Sequence, residues 1–314
     1  MCAESRSVPP SSVSVSAGTE ATRGDAAPQA GPETAAGALA PGLYVVATPI
    51  GNLRDITLRA RDTLAGADLV LCEDTRVTGK LLGAYGLDTP TLSYHEHNAE
   101  SRRPEVLARL AEGAAVALVA DAGTPLVSDP GYKLVRAARE AGHPVTPIPG
   151  PSALLAGMMA AGLPSDRFFF QGFLPAKRKA RRDALAELAP LSATLVIYES
   201  PRRLAASLAD MAAVLGAREA VVARELTKRF EEWRRGTLAE LAAAYTEPPK
   251  GEVVVLIAPP AAAPPVTDAE IDARLGEAMA TDTLRDAVDA VTAATGAARK
   301  RVYRRALGRK ADRE

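Results

Sequence analysis

Apolar residues fall in short β-branched runs set between stretches of helical periodicity. LYVVAT (43–48), DLVLC (68–72), AVALVA (115–120) and PVTPI (144–148) read as strands, with helices near 57–66, 102–112 and 131–141. Strands alternating with helices predict a parallel α/β sheet. After the Pro/Gly-rich IPGPSA (148–153) and a small-residue helix near 153–162, a second set follows. Its strands are FFFQGF (168–173), TLVIYE (194–199), AVVARE (220–225) and EVVVLIA (252–258), with helices near 179–189 and 201–215. APPAAAPPV (258–266) is a linker, and 267–310 reads as two or three short helices. The expected organisation is a disordered leader (1–41), two α/β domains (42–150 and 151–260), and a linker with a basic helical module (261–314).

Charge refines this picture. The 314 residues carry 38 basic and 38 acidic side chains, but KRKARR (177–182) holds five positive charges and 295–314 a surplus of six. The remaining body is therefore acidic by eleven charges, and two short basic appendages call for a partner of their own. Cys2 and Cys72 are the only cysteines, too few for a disulfide framework, so a reducing compartment and the cytoplasm are expected. The leader lacks the apolar core of a secretory signal, and no window approaches a membrane span.

Four loops follow predicted strand ends, the edge at which open α/β sheets bind ligands. TPIGN (48–52), with Pro49 and Gly51, is equally a tight turn or a binding loop. In EDTR (73–76), Glu73, Asp74 and Arg76 could orient or deprotonate a hydroxyl, although a capped helix start with an ion pair explains them as well. DAGTPLVSDPG (121–131) is the most specific. Asp121, Ala122, Gly123, Thr124, Pro125, Leu126, Ser128 and Asp129 make a long loop suited to a cationic ligand group or ribose hydroxyls. PGPSA (149–153) brings Ser152, read as a helix cap, beside it. His95 and His97 in YHEHN suit surface or substrate hydrogen bonds; without a third ligand they imply no metal. YESPRR (198–203) starts a helix with Ser200 as cap and Pro201 at its first position. Arg224, Glu225, Lys228 and Arg229 in ARELTKRFEEWRRG (223–236) suit phosphate or ribose, or a solvated ion-pair network. Dinucleotide, P-loop and nucleophile-elbow signatures are missing.

Taken in order, VVATPIGNLRDITLRARDTLAGADLVLCEDTR, LSYHEHN, VADAGTPLVSDPG, PGPSA, FFFQGFLP, YESPRR, ARELTKRFEEWRRG and GEVVVLIA resemble the motifs of the bacterial 16S rRNA ribose 2′-O-methyltransferase I family. That family lies within the tetrapyrrole methylase superfamily. The resemblance spans about 43–258, and TGAARKRVYRRAL resembles the family's C-terminal helical domain. Arg202 departs from the family's Y-E-S-P-H-R pattern.

The resemblance implies a two-domain tetrapyrrole-methylase fold with S-adenosylmethionine bound in the cleft between domains. It implies the Asp121–Leu126 segment, Ser152, Ala153, Phe173, Tyr198 and Ala223 as donor-binding residues, to which the loop reading adds Pro49, Gly51, Ser128 and Asp129 as candidates. Glu73, Asp74, Arg76, Glu225 and Lys228 are the catalytic candidates. His95, His97, Lys177, Arg178, Lys179, Arg181, Arg182, Arg202, Arg203, Arg301, Arg304 and Arg305 are the candidate RNA contacts. The implied acceptor is the ribose of the decoding-centre cytidine that is also methylated on N4, in the small subunit, and the implied assembly is a homodimer. A tetrapyrrole methylase and a non-catalytic ribosome-assembly factor are the competing readings.

Overall fold

A computed structural model describes residues 39–127, 131–261 and 266–311. The expected leader falls almost wholly outside the described residues, as do Ser128 and Asp129. The first sheet contains β1 (Gly42–Val46), β2 (Leu69–Cys72), β3 (Thr91–Ser93), β4 (Ala115–Val119) and β5 (Val145–Ile148). Their order is β3-β2-β4-β1-β5, and every pairing is parallel. Both faces are covered by α1 (Leu58–Gly66), α2 (Thr75–Ala84), α3 (Ala99–Ala111) and α4 (Tyr132–Glu140). Hence β4 is apolar throughout, Val116 and Leu118 feeding one core and Ala117 and Val119 the other.

The second sheet departs from the first. It is built from β6 (Phe168–Phe173), β7 (Thr194–Glu199), β8 (Glu219–Arg224), β9 (Glu232–Thr237) and β10 (Val253–Ile257). Their order is β6-β7-β10-β8-β9. Only β6 and β7 run parallel; β10 lies antiparallel between β7 and β8, and β8 and β9 form an antiparallel pair. The hydrophobic pattern predicts no strand at β9: EWRRGT is an edge strand whose charged side chains reach solvent, so it carries little apolar signal. The short β3 escapes for a similar reason, since three half-buried residues set no period.

One face of this sheet packs on α6 (Arg178–Leu188), α7 (Leu204–Leu215) and α8 (Leu238–Ala244) through Leu185, Leu195, Ile197, Leu208 and Val255. The other receives α5 (Ala153–Ala161), with Val196, Val221, Val254 and Leu256. Ile50, from the loop after β1, joins this second core. A residue of the first sheet's edge is therefore packed against the second sheet, which fixes the two edges face to face.

The C-terminal helices α9 (Asp268–Ala278), α10 (Leu284–Thr295) and α11 (Arg299–Ala311) enclose a small core of Ile271, Leu275, Val288, Val291 and Val302. Thr267 and Glu270 cap α9 reciprocally, satisfying two amides that the helix cannot. Two expected caps are corrected: Ser152 and Ser200 stand at the cap positions, but neither side chain accepts a capping hydrogen bond. No helix among the described residues is long and apolar enough to cross a membrane.

Candidate active site

The four loops meet, and DAGT (121–124) is their hub. Thr48 and Gly123 exchange two backbone hydrogen bonds, at 2.9 and 3.0 Å, joining the loop after β1 to the loop after β4. Asp121 Oδ1 accepts the amide of Asp74 at 3.2 Å, drawing in the loop after β2. Thr124 donates its hydroxyl to Pro151 O at 3.0 Å, drawing in the loop before α5. Gly123 sits at φ +83°, and a Cβ there would stand 3.2 Å from Ile50. The glycine thus lets the loop turn and lets Ile50 cross to the second sheet.

From that sheet, Tyr198 reaches back and its hydroxyl accepts the amide of Leu154 at 3.0 Å. Its ring is held edge-on by Phe170 and Phe173, centroids 4.9 and 5.8 Å away. Between the edges lies a cavity of about 420 Å³, within the usual range for a small-ligand site. Asp121, Ala122, Gly123, Thr124, Ser152, Ala153, Phe173 and Tyr198 line it, as does Ile50. Glu199, at a predicted strand end in YESPRR, also lines it, as do Leu226, Glu252 and Val254, which nothing in the sequence singles out; the apolar members of that set look in sequence like ordinary core.

Among the described residues, the other expected donor residues lie apart from this lining. Leu126, at φ +73°, packs toward the first core. Ala223 is buried within the second sheet, paired to Val254 and Trp233. Pro49 and Pro125 flank the hub without forming the wall, and Gly51 lies beneath the Lys228 side chain, where a Cβ would meet Lys228 Cγ at 2.4 Å.

Glu199 is a completed structural carboxylate. Fully buried, it accepts from the Ser200 amide, from Arg203 and from the Ser207 hydroxyl. Arg203 also donates to Leu174 O at 2.8 Å, tying the end of β6 to the end of β7. The expected RNA role for Arg203 is thereby corrected: its guanidinium holds the cleft's roof.

Arg181 needs the same correction, while Arg301, which is exposed, and Arg305, which is half-buried, are already engaged in ion pairs. Arg181 is buried and forms a two-pronged pair with buried Asp210, at 2.9 and 2.6 Å. Arg301 pairs with Asp268, and Arg305 with Asp272 and Asp268, fastening α11 to α9. Lys177, Arg178, Lys179, Arg202 and Arg304 are exposed and Arg182 is half-buried. Arg178 reaches Asp210 at 3.2 Å from the exposed side, and Lys179 pairs with Asp183. His97 is exposed and His95 half-buried, their rings 5.9 Å apart. Among the described residues no group of three His, Cys, Asp or Glu side chains is placed to hold a metal ion.

The catalytic candidates divide into two clusters. Asp74 caps α2 and pairs with Arg76 at 2.6 Å. The hydrogen bonds from the Arg76 side chain and amide pull its carboxyl down to about 2. Burial disfavours ionised Glu225, but Lys228, at 2.8 Å, and the Glu252 amide hold it below the usual carboxylate range. Both are therefore anions at neutral pH and weak proton acceptors.

A depressed folded-state value means that the contribution of Asp74 to stability is complete above its ordinary value near 4 and disappears as pH falls through about 2. Between pH 5 and 9, Asp74→Asn should leave the shape of the pH–rate profile unchanged; an acidic limb present in the parent and absent in the variant would show that Asp74 titrates in turnover.

The tetrapyrrole (corrin/porphyrin) methylase family model matches residues 42–242, and the model of the RsmI C-terminal HTH domain matches 265–310. The ribosomal RNA small subunit methyltransferase I of Mesorhizobium japonicum is 53% identical over 272 residues, covering 86% of this chain and 92% of that protein. The protein of the same name from Vibrio cholerae is 53% identical over 222 residues, covering 69% of this chain and 77% of its own length. Among solved structures, a cobalt precorrin-4 methyltransferase superposes with a TM-score of 0.54 at 21% identity, over 69% of this chain and 94% of that one; at that identity the likeness concerns the fold. Two matched domains in the expected order, with half of the residues shared along most of the chain, place this protein in the ribosomal RNA small subunit methyltransferase I family, on a tetrapyrrole methylase fold.

Proposed function

We propose that this chain methylates the ribose 2′-hydroxyl of the decoding-centre cytidine that also carries an N4-methyl group, in the 16S rRNA of the small ribosomal subunit. S-adenosylmethionine is the donor. The observation that carries this reading is the cleft built around DAGT, in a chain whose relatives are named as small-subunit rRNA methyltransferases.

The residues present suit that donor. Ile50, Ala122, Ala153 and Val254 offer apolar walls to a flat ring, and the DAGT backbone offers polar edges. Asp121, on the cavity lining, offers a negative charge that favours a cation, whereas Glu199 and Glu252 are already paired with Arg203 and Lys228. When bound, the donor supplies a methyl group on a positively charged sulfur.

The chain's own task is alignment. Holding acceptor and donor in line can lower a barrier by about 7–11 kcal/mol in favourable systems, and the cross-bonded loops hold the cleft in one geometry. Because Asp74 and Glu225 are weak bases, their part is to fix Arg76 and Lys228. Arg76, with its side chain 86% exposed, is placed to meet phosphate. Lys228, bridging Glu225 and Glu252, spans the rim above Gly51.

The active form is a homodimer, in line with the family resemblance, and Leu155 and Met159 project from α5 one turn apart. Labelled donor, offered with assembled small subunits lacking this methyl group or with uroporphyrinogen, tests the reading. Label should enter the subunit RNA; label in uroporphyrinogen alone would favour a tetrapyrrole methylase, and no donor binding by calorimetry would favour a non-catalytic factor.

A further inference from the structure

The turn joining β8 to β9, residues 225–231, is held at both ends. Glu225 and Thr227 adopt φ values of +52° and +66°, left-handed conformations unusual for residues other than glycine. Glu225 Oε1 accepts the Glu252 amide, and Gly251 leaves the room that this carboxylate fills: a Cβ there would stand 2.3 Å from it. The Thr227 amide donates to Glu231 Oε2 at 2.7 Å, and Trp233 Nε1 donates to Glu231 Oε1 at 3.0 Å. Backbone bonds from Lys228 N to Glu225 O and from Glu231 N to Lys228 O close the turn. Such strain persists where the surroundings over-determine it, and it clusters at functional sites.

This rigid turn points in two directions. Leu226 is buried in the cleft wall and Lys228 lies over Gly51 on the opposite edge. The next two residues are exposed: Phe230 shows 65% of its surface, with the Arg229 guanidinium 5.5 Å from its ring centroid. Four residues span at most ~14 Å, so the Phe230 Cα stands within that reach of Leu226 in the cleft wall. Its neighbours in the turn, Lys228, Arg229 and Glu231, are charged, which disfavours an apolar protein interface. A flat aromatic face beside a guanidinium suits an unstacked nucleobase with its phosphate.

We propose that Phe230, with Arg229, is the platform on which a base of the acceptor RNA stacks when its ribose is presented to the cleft. The inference rests on the proposed function and adds the element that receives the extruded nucleotide. A buried ribose hydroxyl must leave its helix or loop to be methylated, and a rigid stacking surface holds the nucleotide once it has left.

The test compares Phe230→Ala, Phe230→Leu and Phe230→Trp with the parent protein. Three readouts are taken: donor affinity by calorimetry, equilibrium retention of unmethylated small subunits, and single-turnover methyl transfer. Alanine and leucine should weaken subunit binding about 5- to 150-fold, tryptophan should restore it, and donor affinity should not move. Equal subunit binding by the alanine variant and the parent would overturn the proposal. So would rescue by leucine equal to that by tryptophan, or parallel loss of donor affinity. Conversion of a dimer to a monomer by Phe230→Ala would name a second copy of the chain as the occupant and also overturn it. A parent protein that binds subunits but transfers no methyl would refute the proposed reaction, while the binding comparison would still decide the stacking role.

Discussion

Replacing Arg181 with alanine should destabilise the protein by about 3–5 kcal/mol, the range for removing one partner of a buried ion pair, and should leave the salt dependence of subunit binding almost unchanged. The reason is its position. In KRKARR every charge looks equivalent, yet Arg181 is buried and fixed to Asp210, itself a buried residue of α7. Alanine would strand the Asp210 carboxylate with only Arg178, which approaches from the exposed side at 3.2 Å. Denaturant unfolding checks the first half, and the double substitution Arg181→Met with Asp210→Leu should recover most of the deficit, since removing both charges removes the stranded one. Lys177→Gln with Lys179→Gln should do the reverse. Stability should hardly change, while the slope of log affinity against log salt should fall by about 0.7–0.9 for each phosphate no longer neutralised. If Arg181→Ala unfolds like the parent but loses subunit affinity, the inward role of that arginine is wrong.

The second large effect is expected at Gly123. Valine there would have to hold a φ of +83° and would bring its Cβ to 3.2 Å from Ile50. A β-branched residue in that region costs about 1–3 kcal/mol. The cost falls on the segment that carries the two-way Thr48–Gly123 bond and, through Thr124 and Asp121, the other two loops. Donor affinity should fall by about tenfold to a hundredfold, with a smaller loss of global stability, because each strand core stays intact. Calorimetric titration of donor into Gly123→Val measures it, and an affinity equal to the parent's would mean that the hub does not shape the donor site.

These two positions show what the chain discloses unaided. Strands β1, β2, β4, β7, β8 and β10 are apolar because both faces are covered, and such runs stand out from any neighbouring sequence. The DAGT loop is legible because small, turn-forming and acidic residues follow a strand end without a structural need for all of them. Strand β9 is not, because its exposed edge carries Trp and Arg at positions whose apolar alternation is lost. Arg181 carries a usable signal that charge counting overrides: it lies four and seven residues before Leu185 and Leu188, on the helical face that is buried. The same spacing marks Arg301 and Arg305 against Asp268 and Asp272, where two i,i+4 ladders meet across α9 and α11. Leu226, Glu252 and Val254 have no such signal, since their part in the cleft depends on an antiparallel pairing between β8 and β10 that no local pattern announces.

The basic surface available to RNA under the proposed function is smaller than the raw charge count suggests, and differently distributed. Arg181 and Arg203 build the fold and Arg301 and Arg305 are ion-paired to α9, while Arg76 at the first sheet's edge and Arg229 beside Phe230 stand exposed near the cleft. Basic residues that build the fold cannot be neutralised as a block without confusing affinity with stability, so tests of RNA contact belong at Lys177, Lys179, Arg202 and Arg304.

Above all, the cleft is proposed to direct a methyl group to one ribose of small-subunit RNA. Small subunits purified from cells lacking this protein, incubated with it and isotopically labelled S-adenosylmethionine, can be digested to nucleosides and the label located by mass spectrometry. One labelled cytidine per subunit is expected, with the methyl on the 2′-oxygen and N4-methylation on its base. Label on a base atom, on another nucleotide, or on no RNA at all would contradict that assignment.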